Sequence, residues 1–219
     1  MSNAANIQKI NAQISPSAKL IAVSKTKPVE LIQEAYDAGQ RDFGENKVQE
    51  MASKAPLLPA DIRWHLIGHL QSNKVKYIAP FVYMIHSVDS LKLLEVIDKE
   101  GRKNNRVIPC LLQVHIATEE TKFGLDAEEL QQLIEHLRQS PLSFVVIKGL
   151  MGMATNTSDE NVIRKEFKHL KGLFDTYAKQ QDNNIQMQEL SMGMSSDYLL
   201  AVESGSTLVR IGSSVFGER

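Results

Sequence analysis

"VIPCLLQVHI" (107–116), "AEELQQLIEHLRQ" (127–139) and "FVVIKGLM" (144–151) follow one another in the chain, and their order decides the class of fold. The first and third are short, apolar and rich in β-branched residues, without the strict polar alternation of a one-sided sheet. Each therefore reads as a strand buried on both faces. Between them, Leu130, Leu133, Ile134 and Leu137 share one face of a helix that Asp126 is placed to cap. Two such strands joined by a helical crossover are parallel neighbours in one sheet.

The same alternation extends in both directions. Toward the N-terminus, "KLIAVSK" (19–25) precedes a helix over 29–39, and "DFGE" (42–45) precedes one over 47–55. "RWHLIG" (63–68) is followed by a helical stretch over 74–81, and "MIHSV" (84–88) by one over 90–104. Toward the C-terminus, an amphipathic helix spans 160–179, then come "QELSMGM" (188–194), a helix over 196–205, and "LVRIGSSVFG" (208–217), an eighth strand with little chain left for a helix. A further amphipathic helix around 6–14 stands ahead of the first strand. The count predicts a single (β/α)8 barrel domain over residues 1–219 with an extra N-terminal helix, with an open doubly wound sheet as the alternative.

Composition narrows the function. With 42% hydrophobic and 23% charged residues and a formal net charge of −1, the chain has ordinary globular character and no broad positive field for nucleic acid or an anionic membrane. Its longest apolar run, 78–85, is far short of the roughly 20 residues that span a bilayer. One cysteine, Cys110, lies in an apolar strand, and a reducing cytoplasm is the expected compartment. No metal-ligand pattern is read, and the opening "MSNA" is given no weight.

In a parallel α/β fold the ligand sits at the carboxyl ends of the strands. Ile21, Val23 and Lys25 share one face of the first strand, so Lys25 can follow two aliphatic residues inward, where a desolvated amine captures carbonyls. Lys27 has the same parity, but Pro28 follows it. "SMGMSSD" (191–197) and "RIGSS" (210–214) place small residues and hydroxyls where barrels bind phosphate, although Ser196 and Asp197 are also suited to capping a helix. Arg210, inside an otherwise apolar strand, needs an acceptor. Barrel closure brings the lysine and the phosphate cradle together, leaving two readings: a Schiff-base aldolase or isomerase acting on a sugar phosphate, or a binder of pyridoxal 5′-phosphate (PLP).

Seven blocks carry a resemblance: "AVSKTKP" (22–28), "GQRDFGENKVQE" (39–50), "WHLIGHLQSNK" (64–74), "KFGL" (122–125), "GLM" (149–151), "LSMGMSSD" (190–197) and "STLVRIGSSVFGER" (206–219). Together they resemble the PLP homeostasis protein family, whose fold is similar to the barrel domain of alanine racemase. The resemblance implies that Lys25 holds PLP as an internal aldimine with Lys27 as its neighbour. It further implies that Asn46 lies by the 3′-oxygen, that Ser195, Gly212 and Ser213 serve the phosphate, and that Arg210 faces the pyridine nitrogen. Met194 joins the same cofactor-binding set, and Lys122 matches a peripheral family lysine. His115, Phe123 and His69 depart from common family residues, and His65 reads as a packed, hydrogen-bonded strand residue.

A guanidinium beside the ring nitrogen disfavours its protonation and weakens the ring as an electron sink. The expected function is thus non-catalytic storage, buffering or delivery of PLP in vitamin B6 homeostasis, with PLP-dependent apoenzymes as transient partners and a monomeric state. An amino-acid racemase is the alternative and a sugar-phosphate lyase a weaker one. Neither the racemase's second domain nor a tyrosine at the lysine-bearing exit is expected.

Overall fold

The structure, a computed structural model, describes residues 2–14, 16–119 and 123–217. Eight parallel strands close into a barrel in sequence order: β1 (Lys19–Val23), β2 (Asp42–Glu45), β3 (Arg63–Leu66), β4 (Met84–Val88), β5 (Ile108–Gln113), β6 (Val145–Met151), β7 (Ile185–Ser191) and β8 (Leu208–Ile211). Closure is made by β1 on β8, with Ile21 beside Arg210 and Ala22 beside Ile211. The open doubly wound sheet is thereby excluded.

Seven helices cover the barrel after its strands or ahead of them: α1 (Asn3–Ile14), α2 (Val29–Asp37), α3 (Val48–Lys54), α4 (Leu91–Lys103), α5 (Ala127–Gln139), α6 (Glu160–Ala178) and α7 (Tyr198–Glu203). α1 buries Ile7, Ile10 and Ile14 against α2 and β1, so it is an added outer layer. α5 begins on a capping box in which the Asp126 carboxylate accepts the Glu129 N–H at 2.8 Å while Glu129 accepts the Asp126 N–H at 3.0 Å. Its buried face is Leu130, Leu133, Ile134 and Leu137, as the spacing predicts.

Three expectations are corrected. The helical stretch over 74–81 is a 3₁₀ turn, Ser72–Tyr77, because Pro80 leaves no room for a longer helix. The eighth strand stops at Ile211, and a one-turn helix, α8 (Ser213–Phe216), follows at once. Nor are all strands apolar on both faces. The outward side chains join one large core under the helices, whereas the barrel interior has a small apolar cluster of Ile21, Met84, Leu111, Met151 and Leu208. Beside that cluster runs a string of buried polar side chains, His65, His86, Ser191 and Arg210, which satisfy one another.

Candidate functional site

β1 ends at Val23, and the next residues are pinned from behind. Ser24 Oγ donates to Glu45 Oε1 at 2.6 Å, and Lys54 Nζ donates to the Ser24 carbonyl at 2.9 Å, to Glu45 Oε1 at 2.8 Å and to Glu50 Oε1 at 2.6 Å. Thr26 takes a left-handed φ of 65°, and its N–H donates to Glu50 Oε1 at 2.5 Å. Lys25 is thus presented between two anchored neighbours, on the inward face with Ile21 and Val23. Burial raises the Glu45 carboxyl above its ordinary range, with the Lys54 ammonium and Ser24 hydroxyl pulling the other way. For Glu50 burial also pushes upward, but Lys54 and the Thr26 N–H outweigh it and hold the carboxyl below its usual value.

Lys27 is committed elsewhere: its Nζ donates to the carbonyls of Phe216 and Gly217 at 3.3 and 3.1 Å, at the end of α8. That contact ties the exit of β1 to the last helix and separates the roles of the two lysines.

Arg210 points into the barrel from β8, 4% exposed. Its Nη1 donates to Ser191 Oγ at 2.6 Å and its Nη2 to the Gly152 carbonyl at 3.1 Å. Burial lowers its pKa to about 10, opposed by the charge of Asp197, so it remains a cation at neutral pH.

The turn after β7 is compact because Gly193 has φ +94°, where a Cβ would fall 2.5 Å from that of Ala201. Asp197 sits at the N-cap position of α7 but makes no cap bond. Its carboxylate accepts the Met194 N–H at 2.5 Å and closes the turn carrying Met194 and Ser195. In α8 the Val215 and Phe216 N–H groups return to the Gly212 carbonyl, while those of Ser213 and Ser214 precede any intrahelical acceptor.

These elements surround one cavity of about 450 Å³. All seven residues singled out from the sequence line it: Lys25, Asn46, Met194, Ser195, Arg210, Gly212 and Ser213. Among the described residues its charged side chains are Lys25, Lys27 and Arg210, with no carboxylate, so the cavity is built for an anion. None of Tyr36, Tyr77, Tyr83, Tyr177 and Tyr198 lines it.

Other lining residues lie outside the cofactor-binding set singled out from the sequence. Gln113 ends β5, and its Nε2 donates to the Phe123 carbonyl at 2.8 Å. Phe123 in turn stacks on His69, ring centroids 4.9 Å apart and planes 23° from parallel, so two residues noted as departures form an aromatic pair at the cavity wall. Ile67 and Met153 complete the apolar side. His115 lies outside the cavity and bonds the Glu119 carbonyl at 2.9 Å; His65 is buried between His86 and Asp42. Lys122 lies outside the described residues.

Comparison with known proteins places this geometry. The family described as alanine racemase, N-terminal domain, matches residues 2–219. The pyridoxal phosphate homeostasis protein of Aquifex aeolicus is 42% identical over 203 residues, covering 92% of this chain and 87% of that protein. The human protein of the same name is 39% identical over 213 residues, covering 92% and 76%. Among solved structures, PipY of Synechococcus elongatus with PLP bound superposes with a TM-score of 0.89 at 38% identity, covering 99% of this chain and all of that one. An alanine racemase of Streptomyces lavendulae, at 16% identity and TM-score 0.80 over 57% of its own length, shares the fold. A closed barrel, a lysine and an arginine on one anion cavity, and relatives matched almost end to end show that the chain belongs to the pyridoxal phosphate homeostasis protein family.

Proposed function

We propose that this protein binds PLP reversibly at Lys25 and buffers it in the cell without turning over a substrate. The observation that carries this reading is the convergence of Lys25, Arg210 and the Ser195 and Ser213 turns on one carboxylate-free cavity. The residues present fit the ligand. PLP brings an aldehyde that condenses with an amine, releasing water, and returns on hydrolysis. Lys25 supplies the amine, and the cavity walls and pinned backbone hold it in place. The hydroxyls and N–H groups of Ser195, Gly212 and Ser213 suit a phosphate dianion. The Arg210 guanidinium, a donor only, matches an unprotonated ring nitrogen and offers no proton to it. Asn46 lines the same cavity and supplies an amide suited to the ring oxygen.

Storage is favoured over racemisation by the relatives matched along most of their length, which are named pyridoxal phosphate homeostasis proteins. We further propose that residues 1–219 form a single barrel domain that acts as a monomer in the cytoplasm and hands PLP to apoenzymes; the family model matches residues 2–219.

The test is to load the protein with PLP, record its visible absorbance, reduce with borohydride and locate the adduct by peptide mass. Lys25 should carry it, Lys25→Ala should remain colourless, and amino acids should not be racemised or transaminated. An adduct at another lysine, or steady turnover, overturns the reading.

A further inference from the structure

The buried polar string inside the barrel is continuous from the cavity to the opposite end. Arg210 Nη1 lies 2.6 Å from Ser191 Oγ, Ser191 Oγ 3.0 Å from His86 Nδ1, His86 Nε2 2.9 Å from His65 Nδ1, and His65 Nε2 3.0 Å from Asp42 Oδ1. Asp42 is in turn held by Arg63, Nε to Oδ1 at 2.7 Å and Nη2 to Oδ2 at 2.5 Å.

The two ends of this string dictate the direction of every bond between them. A guanidinium only donates, so Ser191 Oγ accepts from Arg210 and turns its own proton toward His86 Nδ1. An ionised carboxylate only accepts, so His65 Nε2 carries a proton toward Asp42. With one proton per neutral ring, His86 is also the Nε2–H tautomer and donates to His65 Nδ1. One arrangement satisfies all five groups, with both imidazoles neutral.

We propose that Ser191, His86, His65 and Asp42 are positioning residues for Arg210, a one-way hydrogen-bond chain across the barrel that fixes the guanidinium edge against the cavity. The chain is a brace and not a proton conduit, because its cavity end is a cation that keeps its proton. A second proton on the histidine pair would set two donors face to face or turn the Ser191 hydroxyl away from His86. The charged and titratable groups around the pair are Asp42 on β2, Arg210 on β8, Tyr83 ahead of β4, whose ring lies 5.2 Å from that of His65, and Lys19, Arg63 and Glu189, which line a small cavity together with His65. Consistent with a neutral His86, burial first and the Arg210 charge with it hold its pKa well below the ordinary value.

The link from Arg210 to the ligand rests on the proposed binding of PLP, whereas the proton arrangement does not. Two measurements separate them. Imidazole ¹⁵N spectra of the ligand-free protein at pH 7 should show His65 and His86 neutral and protonated on Nε2; an Nδ1–H tautomer or a cationic ring at either position overturns the chain. In a double-mutant cycle, His86→Phe should weaken PLP binding on the order of tenfold with Arg210 present and less than twofold in an Arg210→Gln background. Equal losses in both backgrounds overturn the positioning role. Ser191→Ala provides the same cycle should His86→Phe fold poorly. If the unsubstituted protein fails to bind PLP, the functional reading falls, and the spectra still decide the chain.

Discussion

Lys54 Nζ lies 2.8 Å from Glu45 Oε1, and both side chains are buried behind the strand exit that presents Lys25. The ammonium also holds the Ser24 carbonyl and Glu50, so one cation gathers two carboxylates and the backbone next to Lys25. Glu45 Oε2 is buried with no hydrogen-bond partner, which leaves that carboxylate dependent on Lys54. Removing one member of a buried ion pair strands the other.

Lys54→Met should therefore destabilise the fold by roughly 3 kcal/mol or more, since an uncompensated buried charge costs more than the pair itself contributes. Urea unfolding reads the loss. Glu45→Leu added to Lys54→Met should recover part of it, because the stranded charge is gone. Formation of the Lys25 adduct should slow in Lys54→Met and remain slow in the double variant, as the Ser24 carbonyl has lost its Lys54 anchor in both.

The Phe123–His69 stack stands on the cavity wall, and the property to test there is the rate of entry. Phe123 is 60% exposed yet lines the cavity, and its carbonyl is pinned by Gln113. An aromatic pair of this kind contributes about 0.5–1.5 kcal/mol beyond its buried area. Phe123→Ala should thus speed PLP association and dissociation together, by up to roughly tenfold, with little change in the absorbance of the bound state. Stopped-flow mixing and dilution measure both rates; a change in dissociation alone would show that the ring grips the ligand instead of covering its entrance.

How much of this was legible in the sequence differs by level. The α5 cap and buried face, and the bounds of β2 and β4, follow from local rules acting within a few residues. Lys25 was legible as sharing a face with the aliphatic Ile21 and Val23, and Arg210 because an apolar strand makes a lone guanidinium conspicuous. Closure between β1 and β8 was not fixed by any local pattern, since eight βα units are equally compatible with an open sheet. The string from Asp42 to Arg210 escaped for a related reason: its members lie on five different strands, and parity says which residues share a face but not which face is the interior. Lys54 carried no signal because a lysine on a short helix is ordinarily solvated.

Acidification should reveal two windows of stability loss from the interior string. His86 is held well below its ordinary value of 6.5 in the folded protein, so below that pH the unfolded chain takes up a proton that the native one refuses. Stability from this group should fall as pH drops below 6.5, at up to about 1.4 kcal/mol per pH unit, and His86→Asn should remove that slope. Asp42 acts lower. Burial raises its pKa, but hydrogen bonds and charge from His65 and Arg63 outweigh that and bring it from 3.8 to about 2. Its contribution, roughly 2 kcal/mol, is present above 3.8 and lost as pH falls toward 2. Urea unfolding of the parent and His86→Asn at pH 7, 5.5 and 4.5 should show the gap between them narrowing with acid; a constant gap would mean that the native ring accepts the proton.

Gly68 controls where Asn46 can sit. A Cβ at Gly68 would lie 2.4 Å from the Asn46 carbonyl oxygen and 2.8 Å from its Cα, backbone atoms with no flexible end to yield. Ser87 Oγ holds the Gly68 carbonyl at 2.6 Å, so the β3 exit cannot move aside without breaking that bond. Gly68→Ala should therefore push the β2 exit and Asn46 out of register with the cavity, costing roughly 1–3 kcal/mol of stability and about tenfold in PLP affinity. Gly172, in α6, is the control, because an added Cβ there meets nothing within 4 Å. Gly172→Ala should stabilise the protein by about 0.5–1 kcal/mol through helix propensity and leave PLP binding unchanged. Equal affinities in the two variants would show that Asn46 does not depend on the close passage of these two strand exits.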